Sequence, residues 1–124
     1  MSDAQETAIQ IELWKLIETY QIAGTRIWHV PNGEKRDIKT AKRLKEMGVV
    51  PGVLDLHYFA RMRFGMIELK KPGGRLSKDQ RAFMEDADAN LIRYDVAYSV
   101  FEAANILQAV GVINMNVKFT EGTL

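Results

Sequence analysis

The sequence predicts an α/β protein in which a mixed sheet is flanked by helices, and three observations lead there. Apolar residues recur at helical spacing near both ends of the chain. Two β-rich runs in the middle are separated by a very short link, which reads as an antiparallel hairpin. Helical and strand patterns are interleaved in the order α-β-α-β-β-α-β-α, the order expected when helices cover a sheet. At 124 residues the chain suits one domain with one core.

The first helix is expected from about Thr7 to Tyr20, where Ile9, Leu13, Leu16, Ile17 and Tyr20 share a side; Ser2 or Asp3 would cap it and Gly24 end it. Thr25 to Val30 is β-rich, and Pro31-Asn32-Gly33 closes it with turn chemistry. Arg36 to Met47 is a charged, exposed helix stopped by Gly48. Pro51-Gly52 opens a strand to about Phe59, and a second runs from about Gly65 to Lys70, with Arg61 to Arg63 between them. Pro72-Gly73-Gly74 is a firm break. Ser77 and Gln80 then have capping-box spacing, with Phe83 and Ala87 as the apolar stripe of the helix that follows. Ile92 to Tyr98 is a strand, Phe101 to Val110 an amphipathic helix, and residues 114–124 an edge strand or a frayed end.

Composition narrows the chemistry. Seventeen Lys plus Arg against 16 Asp plus Glu give a net charge of +1, so attraction to a polyanion requires local clustering. No cysteine is present, which removes disulfides and thiolate metal sites. Two histidines are too few for a His-rich zinc site, so any metal would be held by carboxylates, which favours Mg²⁺ or Mn²⁺. No apolar run reaches the length of a membrane span, and the polar start of the chain is unlike a signal peptide. A cytoplasmic setting is the expectation.

In Met66-Ile67-Glu68-Leu69-Lys70, alternation puts Glu68 and Lys70 on one face and Ile67 and Leu69 on the other. A lone Glu-x-Lys is ordinary on a solvated strand. The neighbouring strand changes its meaning by offering Asp55: if the strands pair, two carboxylates approach each other and call for a cation between them. A divalent ion with a bound phosphate meets that need, with Lys70 beside both. Glu6 falls in the apolar sector of the first helix, where an acid requires a reason; the plain alternative is complementing the helix dipole. Gln80 either completes a capping box or turns its amide to the site. His29, Asn32, Lys35 and Arg36 lie where they could touch phosphates. Lys71, Arg75, Lys78 and Arg81 make a positive ridge beside the acids, read either as a backbone-binding surface or as a solvated one. His57 shares a face with Asp55 and is weighed as its partner or as a structural residue, whereas Trp14, Trp28 and the methionines are assigned to packing.

His29-Val-Pro-Asn-Gly, Pro51-Gly-Val-Leu-Asp55 and Ile67-Glu-Leu-Lys-Lys-Pro-Gly-Gly-Arg-Leu-Ser-Lys-Asp-Gln80 together resemble the virus-type replication-repair nuclease (VRR-NUC) family of the PD-(D/E)xK nuclease superfamily. The likeness runs from about Glu6 to about Ala109. It implies a restriction-endonuclease-like αβββαβ core, dependence on Mg²⁺ or Mn²⁺, and endonuclease action on branched, flapped or Holliday-junction DNA in replication, repair or recombination. By position it implies Asp55, Glu68 and the Leu69 carbonyl as metal ligands, Lys70 as the catalytic lysine, and Glu6 and Gln80 as supporting residues. His29, Asn32, Arg36, Lys71, Arg75 and Lys78 are the expected DNA contacts. Small members of the family occur in bacteria and bacteriophages, and some resemble junction resolvases in forming homodimers. One departure stands out: Leu54 occupies the place of a proline beside the motif aspartate, which predicts a looser Asp55 with its chemistry intact. The competing expectations are a DNA-binding module that has lost turnover, and a partner-binding domain whose charged strand face is simply exposed.

Overall fold

A computed structural model describes residues 4–31 and 37–115. The elements in chain order are α1 (Ala4–Tyr20), β1 (Arg26–His29), α2 (Ile38–Glu46), β2 (Leu56–Ala60), β3 (Arg63–Leu69), α3 (Lys78–Ala89), β4 (Arg93–Ala97) and α4 (Val100–Val110). The order of types is the expected one. Ser2, Asp3, Asn32, Lys35, Arg36 and most of the 114–124 tail lie outside the described residues.

The four strands lie in the order β1-β2-β3-β4. β1 pairs antiparallel with β2, and β2 with β3, while β3 and β4 run parallel with Glu68 opposite Val96. The sheet is therefore mixed, and α3 is the crossover that a parallel β3–β4 pair requires.

Alternation on the central strand β3 divides the core in two. Ile67 and Leu69 join Leu56, Tyr58 and Ala60 beneath Leu13 and Ile17 of α1 and Ala103, Ala104 and Leu107 of α4. Met66 points the other way, into a smaller cluster with Leu54 and with Met84 and Ala87 of α3. Each fully buried aliphatic side chain here contributes roughly 1.5–3 kcal/mol of transfer free energy. With helices on both faces, β3 is buried continuously from Gly65 to Leu69. Helix α2, capped by Asp37 through the Thr40 N–H, buries none of its residues, as its charge suggested.

Several boundaries differ from expectation, each for a local reason. α1 begins at Ala4, a turn before Thr7, and Tyr20 at its end is exposed and outside the core. Pro51-Gly52 forms a turn that precedes β2; Gly52 has φ +83°, outside strand geometry. The hairpin link is only Arg61-Met62, so β3 starts at Arg63, two residues before Gly65, and ends at Leu69. Lys70 nonetheless donates its N–H to the Ala97 carbonyl at 2.9 Å, extending the contact with β4 by one bond. Near the tail, Ile113 forms a bridge with Gln21.

Candidate active site

The acidic pair lies where β2 begins and β3 ends, and main-chain amides lock it from both sides. The Asp55 N–H donates to Glu68 Oε1 at 3.1 Å, and the Leu69 N–H donates to Asp55 Oδ2 at 3.0 Å. Each acid thus accepts a proton from the other's segment. Antiparallel pairing carried one step past Leu56–Ile67 brings the two residues together, and the side chains follow from the pleat.

Neither acid is a surface residue. Glu68 is 0% exposed, Asp55 2% and Lys70 9%. The competing reading of a charged strand face open to solvent therefore does not hold: the face that carries Glu68 lies under α3. Lys70 Nζ is 3.8 Å from Glu68 Oε2, a looser approach than a hydrogen-bonded ion pair. The Lys70 ammonium thus faces the Glu68 carboxylate. Burial first, and then the Asp55 charge, push the Glu68 carboxyl up to about 8 against the opposing pull of Lys70 and the Asp55 N–H. Asp55 is also held above the ordinary carboxylate range by burial, with Glu6 adding to the rise and the Leu69 N–H and His29 working against it.

Gln80 resolves the alternatives set for it by satisfying both. Its Oε1 accepts the Ser77 N–H at 2.8 Å and its backbone N–H donates to the Ser77 hydroxyl oxygen at 3.0 Å, completing the capping box. The same side chain donates through Nε2 to Glu68 Oε2 at 2.6 Å. Its amide partner at the site is thus the glutamate.

Glu6 is 6% exposed at the start of α1, and its Oε2 accepts the Lys71 N–H at 3.2 Å. The acid in the apolar sector sits at the rim of the site, next to the chain leaving β3. The His29 ring donates from Nδ1 to the Asp55 carbonyl at 3.1 Å, and the Val30 N–H donates to the same oxygen at 2.8 Å. His29 therefore holds the segment that carries Asp55, a role that its place in a loop-flanked strand did not signal. His57 packs edge-on to Trp28 and Phe64, and burial lowers its imidazole below the usual range. Arg75 and Lys78 are exposed and Lys71 half-buried around the Gly-rich break.

Two residues that sequence reasoning undervalued fix the approach to Asp55. Leu54, where the resemblance leads one to expect a proline, is fully buried against Met66, Met84 and Ala87. Packing anchors the backbone there without ring stiffness. Gly52 lies against the first turn of α3: a Cβ would stand 2.3 Å from the Asp79 carbonyl oxygen. The Pro-Gly pair was legible as a turn, but its contact with α3 is long-range.

Among the described residues no group of three or more His, Asp or Glu side chains is placed to hold a metal ion. What is present is a pair of buried acids with an unbalanced tendency to keep their protons, next to the Leu69 peptide. That donor set suits a hard divalent cation completed by water and phosphate oxygens, and suits a softer metal poorly. No helix of the described residues is long and apolar enough to cross a membrane. No family model matches the chain, and neither the curated proteins nor the solved structures compared with it give a match.

Proposed function

We propose that the protein is a Mg²⁺- or Mn²⁺-dependent endonuclease that hydrolyses DNA phosphodiester bonds, with the restriction-endonuclease-like core of the VRR-NUC family. The observation that carries this reading is the reciprocal locking of Asp55 and Glu68 in a buried setting, with one lysine on the same strand face. A structural role would favour replacing such like charges by apolar groups, since burying them uncompensated destabilises the fold.

Asp55 and Glu68, with the Leu69 carbonyl implied by the resemblance, would hold the ion. When bound, it supplies countercharge to the acids and acidifies water beside a phosphate. Asp55 is aimed by the Leu69 N–H and Glu68 by Gln80 and the Asp55 N–H, so little reorganisation is needed at the moment of reaction. Lys70 brings a fixed positive charge to where negative charge grows on the phosphate. Glu6 and His29 hold the two chain segments flanking the site. Lys71, Arg75 and Lys78 offer a short run of cations for the DNA backbone, and the same role is proposed for Asn32 and Arg36. A branched substrate with two-fold symmetry suits a homodimer, since a single subunit of this size spans little DNA.

Nicking of linear and branched DNA, titrated with Mg²⁺ and Mn²⁺, tests the proposal. Asp55→Asn and Lys70→Ala should each lower the rate on the order of 10²–10³-fold. Mn²⁺ should raise the melting temperature of the wild type and leave Asp55→Asn unmoved. Undiminished cutting by Asp55→Asn overturns the assignment, and DNA binding without cutting under any divalent ion favours the binding-module alternative.

A further inference from the structure

At the far end of the sheet, where the β2–β3 hairpin turns, a cavity of about 470 Å³ opens between the hairpin, the start of β4 and the end of α4. Its size lies within the range of small-ligand sites. Arg61, Arg63 and Arg93 line it from two separate stretches of chain, and among the described residues no acid does. Tyr58 adds its ring, which can lie across β3 only because Gly65 has no side chain; a Cβ there would stand 2.2 Å from the Tyr58 hydroxyl. Ile92 and Val110 supply an apolar wall.

The arginines differ in how they are held. Arg93 is paired through Nε with Asp95 Oδ2 at 2.9 Å, which fixes its guanidinium. The Arg61 side chain lies over Gly111, where a Cβ would come within 2.4 Å of its Nε, and its Nη1 approaches the Ala109 carbonyl only at 3.5 Å. Arg63 is exposed and forms no ion pair with an acid among the described residues. Among the described residues, with Asp95 counted, three guanidinium groups carrying fifteen N–H donors meet one carboxylate.

The backbone is unusual at the same place. The non-glycine residues with positive φ among those described are Arg61 at 52°, Met62 at 64° and Leu91 at 57°, and both Arg61 and Leu91 line the cavity. A two-residue hairpin link with both residues left-handed is ordinarily Asn-Gly. The hairpin turn and the left-handed residue that ends α3 bring two independent loops together at this arginine-lined cavity.

We propose that this cavity is a phosphate-binding site separate from the acidic pair. Arg63 and Glu68 are five residues apart along β3, about 17 Å at strand rise, so one phosphate group cannot touch both. Guanidinium forks match phosphate oxygens, and the apolar wall suits the body that carries the phosphate. The site does not depend on the nuclease reading.

The test is a titration of metal-free protein, at ionic strength held constant with chloride, following the Arg61, Arg63 and Arg93 Nε–H signals by NMR. The probes are inorganic phosphate and a single-stranded hexanucleotide without a terminal phosphate. Saturable shifts are expected with at least one probe, with affinity about tenfold weaker in Arg63→Gln and unchanged in Asp55→Asn. Saturation by phosphate alone identifies a small phosphorylated ligand, and tighter saturation by the hexanucleotide identifies a strand backbone. Shifts no larger than chloride produces, or equal affinity in Arg63→Gln, overturn the proposal.

Discussion

Glu68 combines complete burial, a neighbouring acid and the nearby Lys70 ammonium, and its proton affinity follows from that combination. Its carboxyl lies at about 8 in the folded chain against 4.5 ordinarily, burial being the main cause. Between those values the folded state keeps a proton that the unfolded state releases, so raising the pH through this window removes stability from the metal-free protein. His57 acts in the opposite sense: its imidazole, lowered by burial, makes folding more favourable as pH rises through the ordinary histidine range. The contribution of Glu68 is therefore read as a difference. Between pH 5 and pH 8 in chelator, the wild type should lose on the order of 5 °C of melting temperature relative to Glu68→Gln. Parallel melting curves for the two proteins would show that Glu68 ionises normally. The residue scale is also where Gln80 shows its economy, since one side chain caps α3 and fixes the orientation of Glu68.

At the scale of elements, the site depends on α3 meeting the turn that leads into β2. Gly52 permits that meeting twice over, through its φ of +83° and through the absence of a Cβ against the Asp79 carbonyl. Gly48 shares only the first property: its φ is +98° and nothing lies within 4 Å of an added Cβ. Gly52→Ala should thus cost about 2–4 kcal/mol, and Gly48→Ala about 1 kcal/mol, in chemical denaturation. Equal losses would mean that the turn does not pack on the helix. The capping box of α3 was legible from Ser77 and Gln80 because it is local. The start of β2 was misplaced because Pro51-Gly52 looks the same before a strand as before an extended turn segment.

At the scale of the whole molecule, helices on both sides of β3 convert an alternating strand into a doubly buried one. That is why a sequence reading as a half-solvated strand carries two charges into the interior. Net charge of +1 leaves no strong self-repulsion to oppose association of subunits. The proposed pairing predicts about twice the 14.1 kDa chain mass in light scattering at micromolar concentration. A mass equal to one chain at that concentration removes the homodimer.

The order of elements, the hairpin, the α3 cap and the grouping of Asp55, Glu68 and Lys70 were all determined by sequence, because periodicity, turn chemistry and strand pairing act over a few residues. Tertiary structure alone decided that Glu68 is buried, that Gln80 reaches it, that His29 holds the Asp55 carbonyl and that three arginines line one cavity. Each of those depends on contacts between segments distant in the chain. Burial and long-range hydrogen bonds are properties of how the layers stack, and no local pattern carries them.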